Sequence, residues 1–422
     1  MLPDTVVKSP LAKAGGDPCP LPGSWAGSYA AALLAPEGRR PALVPGIEPR
    51  PVRSVGVIGA GLMASQLAMV FARQLGVPVL ITDLSTAKVD SALAWITAQL
   101  DKQVVRGQLS GPQAREVGGL IRGTEDKHDY RNCDVVIEAV FEELGVKRAV
   151  FAQIEPFLRP DALLLTNTSS LSVTAMGGEL AHPERLLGFH FFNPVAVLPL
   201  VEIVRTNVND DVSLATAASL ARLLGKTAVL VADTPGFVVN RILTRLFCEL
   251  LQLIDAGSDP ELADHALDPL GLPMTPLSLL GFIGPAVQLH ICEAMHAAYP
   301  DRFPVSTSLA AIAEARLRGY LDKSGAVLPE AAALLPAAGA GGAAPVPDAA
   351  AIRARILDAL AEEVGLMLAE KVVAGPADVD LCMLLGANYP RHQGGLTPLL
   401  DRSGASRRVW GRDFHPAPAH AD

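Results

Sequence analysis

Two stretches decide the fold: SVGVIGAGLMA at residues 54–64 and PVLITD at residues 78–83. In the first, a short apolar run enters Gly59-Ala60-Gly61 and continues as a helical pattern. A glycine at position 59 permits a tight strand-to-helix turn. Gly61 lets backbone come close to a pyrophosphate, which the N–H groups of the next helix can then bind. The third position of the fingerprint is Ala64, small enough for close helix–strand packing. Met63 lies within the same turn. The second stretch ends in Asp83, nineteen residues after Ala64. A carboxylate there would hydrogen-bond ribose hydroxyls and repel a 2′-phosphate, which selects NAD over NADP. The competing reading is that the glycines only make a turn and Asp83 only caps the helix from Ser85 onward.

Outward from this point, short apolar runs alternate with helix-length segments. They are CDVVIEAV, ALLLTNT, RLLGFHF, LVEIV and TAVLVAD, all before Asp233. Such runs predict buried parallel strands in a βαβ arrangement, hence an α/β, Rossmann-type doubly wound domain over residues 51–233. Residues 85–122 carry no strand-like run and read as a helical excursion within it. Residues 1–50, rich in Gly, Pro and Ala, read as an extension or linker with a short helix around SYAAALLA. Beyond Asp233 strand texture disappears. An all-α domain is expected over 234–325, an Ala/Gly/Pro-rich linker over 326–349, and a second helical unit with a tail over 350–422.

Composition removes several classes. The 422 residues suit two or three domains, and the balance of 50% hydrophobic with 19% charged residues is that of a globular chain. A net charge of −9 without a block of Lys and Arg disfavours a nucleic-acid partner. No apolar run approaches the roughly 20 residues that span a bilayer, and the N-terminus lacks the apolar core of a signal peptide, so a cytoplasmic protein is expected. The five cysteines (Cys19, Cys133, Cys248, Cys292 and Cys382) are scattered and odd in number. They form neither a zinc pattern nor a disulfide framework, and no metal is expected.

Oxidation of an alcohol needs a base, because hydride departs only as the hydroxyl proton is removed; histidine suits that task. Among nine histidines, His190 ends an apolar strand, LLGFHF, and precedes Asn193-Pro194. Glu202 lies inside the next apolar run, where an unpaired charge is costly. Adjacent strands would pair the two. A core histidine satisfied by other means is the alternative on these residues alone.

The strings GAGLMA, VIEAVFEELGVK, NTSSLSVT, GFHFFNPV, LVEIVR and DTPGFVVNR together resemble the L-3-hydroxyacyl-CoA dehydrogenases of fatty-acid β-oxidation, over about residues 53–300. The resemblance implies His190 as catalytic base and Glu202 as its carboxylate partner. Ser169 would be a hydroxyl near substrate and cofactor, and Asn240 an amide that contacts substrate. Val140, Glu142, Lys147 and Asn193 would lie beside the cofactor with Gly59, Gly61, Met63, Ala64 and Asp83. Ser169 and Thr168 have a plainer reading as helix caps, Asn240 as a helix-surface amide, and Glu142 with Lys147 as a solvated pair.

Past Pro273 the likeness loosens: Thr275 and Gly281 stand in LPMTPLSLLGFIG, where the family commonly has a Gly-rich turn and an Asp. The segment AEKVVAGPADVDLCMLLGANYPRHQGGLTPLLDRSGA resembles the second helical repeat that ends multifunctional β-oxidation proteins. The resemblance thus implies the dehydrogenase half of such a protein without its hydratase domain. The expected substrate is an acyl-CoA thioester. A homodimer, or association with a separate hydratase or thiolase, is the expected assembly. Two alternatives stay open: a short-chain 3-hydroxybutyryl-CoA dehydrogenase, and a non-catalytic partner subunit of a hydratase or thiolase complex.

Overall fold

A computed structural model describes residues 25–35, 43–336 and 347–416. Cys19 and the central part of the expected linker lie outside the described residues. The chain divides into two units, Pro36–Thr234 and a helical one made of Met1–Ala35 with Pro235–Asp422. Among the described residues the first element is helix α1 (Trp25–Leu33), which belongs to the helical unit.

The α/β unit is built on an eight-stranded sheet: β1 (Val55–Ile58), β2 (Val79–Thr82), β3 (Ile121–Gly123), β4 (Val135–Glu138), β5 (Leu163–Thr166), β6 (Leu186–Phe191), β7 (Leu200–Arg205) and β8 (Thr227–Ala232). Their order is β3-β2-β1-β4-β5-β6-β7-β8. The helices are α2 (Leu62–Leu75), α3 (Thr86–Val105), α4 (Gly111–Gly119), α5 (Leu144–Ile154), α6 (Val173–Gly177) and α7 (Asp211–Leu223). Because helices cover both faces, β1, β2, β4 and β5 are buried at every position and read as continuous apolar runs without alternation. Each fully buried Val, Leu, Ile or Phe contributes about 1.5–3 kcal/mol, and Val55, Val57, Leu67 and Phe71 are among those packed in this core.

Two expectations need correction. The sheet is not wholly parallel: β7 runs antiparallel to β6, and β8 is parallel to β7. The link between β6 and β7 spans only residues 192–199, too short for the crossover that a parallel pair demands. The excursion of residues 85–122 is helical through α3 and α4, but its end enters the edge strand β3 on β2. A three-residue strand with one buried position leaves too short an apolar run to be seen in sequence.

The helical unit continues with α8 (Val239–Asp255), α9 (Pro260–His265), α10 (Pro276–Ile283), α11 (Pro285–Ala298), α12 (Thr307–Glu314), α13 (Pro329–Ala332), α14 (Ala349–Ala369), α15 (Pro376–Gly386), α16 (Leu396–Arg402) and α17 (Ala405–Trp410). Here α8 and α14 are tied by buried charge. Arg241 Nε lies 2.5 Å from Glu363 Oε1, and Arg241 Nη2 lies 2.8 Å from Glu370 Oε2. The stretch expected as an extension contributes α1 to this unit. Trp25 and Tyr29 stack with ring centroids 4.9 Å apart, and the Tyr29 hydroxyl donates to Asp380 Oδ2 at 2.9 Å. Cys133, Cys248, Cys292 and Cys382 are buried. Among the described residues no single helix is long and apolar enough to cross a membrane.

Candidate active site

Strand pairing places most of the singled-out residues along one edge of the sheet. Parallel pairing sets Ile58 of β1 beside both Thr82 of β2 and Glu138 of β4, and Glu138 beside Thr166 of β5. Thr166 in turn pairs with Gly188 of β6. The segments that follow these strands therefore emerge side by side: Asp83 after β2, Gly59 after β1, Val140 and Glu142 after β4, Ser169 after β5. His190 lies at the same end of β6. Ligands of doubly wound sheets bind at this carboxyl edge, where strand order reverses, here between β1 and β4.

The glycine turn fits a dinucleotide. Gly59 has φ +108°, and a Cβ there would lie 2.7 Å from the Ala139 carbonyl oxygen. A Cβ on Gly61 would meet nothing within 4 Å, so the space in front of it is open to a ligand. No side chain caps α2, whose first N–H groups suit an anion, and Ala64 is fully buried against the sheet. Met63 is half-buried on the same turn. Asp83 does more than the sequence suggests: Oδ2 accepts from Ala60 N–H at 2.8 Å, and Oδ1 accepts from Leu84 N–H at 2.7 Å. The carboxylate thus braces the glycine turn, and Lys88 Nζ stands 3.3 Å away.

Antiparallel register puts His190 directly across from Glu202. Nδ1 of the imidazole and Oε2 of the carboxylate are 2.7 Å apart, with Glu202 wholly buried and His190 5% exposed. A buried carboxylate on Nδ1 fixes the tautomer, directs Nε2 as the proton acceptor and stabilises an imidazolium.

Glu142 and Lys147 are not a solvated surface pair. Lys147 is buried and bonds both oxygens of Glu138, at 2.7 and 2.9 Å, with Glu142 Oε2 at 3.2 Å. Glu142 Oε1 accepts from Thr168 Oγ1 at 2.6 Å and from the Ser169 N–H at 2.7 Å, with Ser169 Oγ at 3.2 Å. Burial by itself would push the Glu142 carboxyl up. The Lys147 ammonium and the Thr168 and Ser169 donors outweigh it and hold the group below its ordinary value. Val140 is half-buried at the start of this loop, and its N–H donates to Glu138 Oε1 at 2.6 Å.

Sequence reading missed four residues here. Glu138 is the buried counter-charge of Lys147; an acidic residue ending the apolar run VVIE was its signal, the same signal that singled out Glu202. Asn167 Oδ1 accepts from Phe191 N–H at 3.0 Å and ties the NTSS loop to β6. Asp233 accepts from the N–H groups of Val173 and Thr174 and caps α6. Gln66, a plain helix amide in sequence, bonds Asn193 and Val195. Asn240, in contrast, opens α8 in the helical unit, where it is half-buried. Among the described residues no cluster of three or more His, Cys, Asp or Glu side chains is placed to hold a metal ion.

Residues 54–234 match the model for the 3-hydroxyacyl-CoA dehydrogenase NAD-binding domain, and residues 236–326 match that for the 3-hydroxyacyl-CoA dehydrogenase C-terminal domain. FadB2 of M. tuberculosis is 33% identical, with 63% of this chain and 95% of that one covered and a TM-score of 0.60. The 3-hydroxybutyryl-CoA dehydrogenase of Escherichia coli K12 is 26% identical, with 87% and 97% covered and a TM-score of 0.70. The fatty acid oxidation complex subunit alpha of Acinetobacter baylyi is 32% identical over 378 residues, which is 85% of this chain and 52% of that protein. The chain spans about half the length of the curated relatives it matches. It belongs to the 3-hydroxyacyl-CoA dehydrogenase family and carries the family's NAD-binding domain.

Proposed function

We propose that the chain oxidises the 3-hydroxyl of an L-3-hydroxyacyl-CoA to the ketone, with NAD as acceptor, in fatty-acid β-oxidation. The observation that carries this reading is the buried His190–Glu202 pair, 2.7 Å apart, at the sheet edge that also bears the glycine turn. Bound NAD supplies the hydride acceptor. Gly59, Gly61, Met63 and Ala64 would hold its pyrophosphate side, Asp83 its adenosine ribose, and Val140, Glu142, Lys147 and Asn193 the nicotinamide side.

His190 takes the proton of the 3-hydroxyl as the C3–H bond breaks, and Glu202 stabilises the imidazolium that forms. The charge develops in a site from which water is largely excluded, so a preset carboxylate is more effective than solvent. Glu142 holds the NTSS loop through Thr168 and Ser169 and so sets where the Ser169 hydroxyl stands. Family resemblance supports Ser169 and Asn240 as the groups that keep the substrate oxygen and thioester in register. Likeness to fatty acid oxidation complex subunit alpha relatives supports association with other subunits of such a complex.

NADH absorbance, followed with L-3-hydroxyacyl-CoA substrates of increasing chain length, tests the reading. Turnover with NAD, its absence with NADP and its loss in His190→Gln are the expected results. The length profile separates a general β-oxidation enzyme from a short-chain one. NAD binding without turnover on any substrate would point instead to a partner subunit that has kept the fold.

A further inference from the structure

The loop after His190 is held from two sides, and the bonds there fix a polarity. Val195 N–H donates to Gln66 Oε1 at 2.9 Å, while Gln66 Nε2 lies 3.0 Å from Asn193 Oδ1. A backbone N–H can only donate, so the oxygen of the Gln66 amide must face Val195. The Gln66 NH2 then faces Asn193 and needs an acceptor there. Asn193 must answer with its oxygen, which leaves its own NH2 directed away from Gln66. Gln66 is 8% exposed, so a flipped amide would leave two donors opposed in a buried place. On the other side, buried Lys226 donates to the carbonyls of Val195 and Leu198, the second at 2.7 Å. These bonds pin the carbonyls that follow the Val195 N–H and so steady the chain that presents it to Gln66.

Gln66 stands one turn into the helix that the glycine turn begins, and Asn193 is three residues beyond His190. We propose that Gln66 is a positioning residue that presents the Asn193 side chain as a hydrogen-bond donor to an acceptor oxygen on the nicotinamide-riboside half of NAD. This deepens the cofactor reading given above and rests on it.

The test is a double-mutant cycle on the full chain, with dissociation constants for NAD and for ADP measured by titration calorimetry. Gln66→Met keeps the volume and removes both bonds; Asn193→Ala removes the presented donor. Each is expected to weaken NAD about three- to tenfold, the worth of one neutral hydrogen bond, and to leave ADP unchanged. The double variant should be no weaker than Asn193→Ala. Equal weakening of NAD and ADP, or effects that multiply in the double variant, would overturn the proposal. Normal NAD binding left untouched by Gln66→Met overturns this proposal alone; a wild-type chain that binds ADP but not NAD overturns it together with the cofactor reading. In the wild-type chain, NAD but not ADP should shift the Asn193 side-chain NH2 resonances, a readout that needs no variant to fold. Unmoved resonances under saturating NAD would refute the assignment.

Discussion

Replacing Glu202 by glutamine removes one charge and almost no volume. The carboxylate lies 2.7 Å from the imidazole Nδ1 and is wholly buried, so water cannot take its place. The new amide can still accept from Nδ1–H through its oxygen, so tautomer and ring orientation survive. What is lost is the attraction between carboxylate and imidazolium, which is present in the transition state and absent while His190 is neutral. At an effective dielectric constant of about 20, two charges roughly 4 Å apart attract by about 4 kcal/mol. Incomplete charge development reduces this to about 2–4 kcal/mol, or a loss of about 30- to 1,000-fold in kcat. KM for both substrates should stay within about threefold, since neither ground state carries the imidazolium charge. Steady-state NADH absorbance measures both constants, and circular dichroism verifies that the variant is folded. A folded variant with kcat reduced less than about fivefold would refute the reasoning, and so would one in which the whole loss falls on KM.

Three further outcomes are expected. Gly59→Ala puts a methyl 2.7 Å from the Ala139 carbonyl at a φ of +108°, and should weaken NAD by about tenfold or more in calorimetric titration; unchanged affinity would deny the turn its role. Glu142→Gln should flatten the acid limb of stability. A carboxyl held below its ordinary value contributes stability that is present above that value and fades as pH falls through the folded one, so the window opens at 4.5 and runs downward. Thermal melting of both proteins across that window checks it, and parallel curves would exclude the effect. Glu363→Ala takes from the buried Arg241 guanidinium its fully buried partner and leaves it Glu370, which should cost about 1.5–3 kcal/mol in denaturant unfolding; a loss below about 0.5 kcal/mol would show that the Glu363 pair is dispensable.

Several features were legible without coordinates because local chemistry forces them. A strand that enters Gly59-Ala60-Gly61 and a helix has few other folded outcomes, and an acid at position 83 completes the pattern. Glu202 could be recognised as a partnered carboxylate because a charge inside LVEIV must be compensated. The same argument applied to Glu138 in VVIE would have found the counter-charge of Lys147. The reading of Glu142 and Lys147 as a solvated pair failed because helix spacing says nothing about which face a neighbouring loop covers.

The sequence by itself determined seven of the eight strands, the glycine turn and the residue types that the chemistry requires, since each depends on neighbours within one element or one turn. Only the tertiary structure decided who meets whom. The antiparallel return of β7 sets His190 against Glu202, and a register slipped by one residue would turn Glu202 to the other face of the sheet. Gln66 joins Asn193 across 127 residues, and Arg241 joins Glu363 across 122. Such contacts leave no periodic trace in the chain, because they are fixed by how elements pack and not by what any one of them prefers.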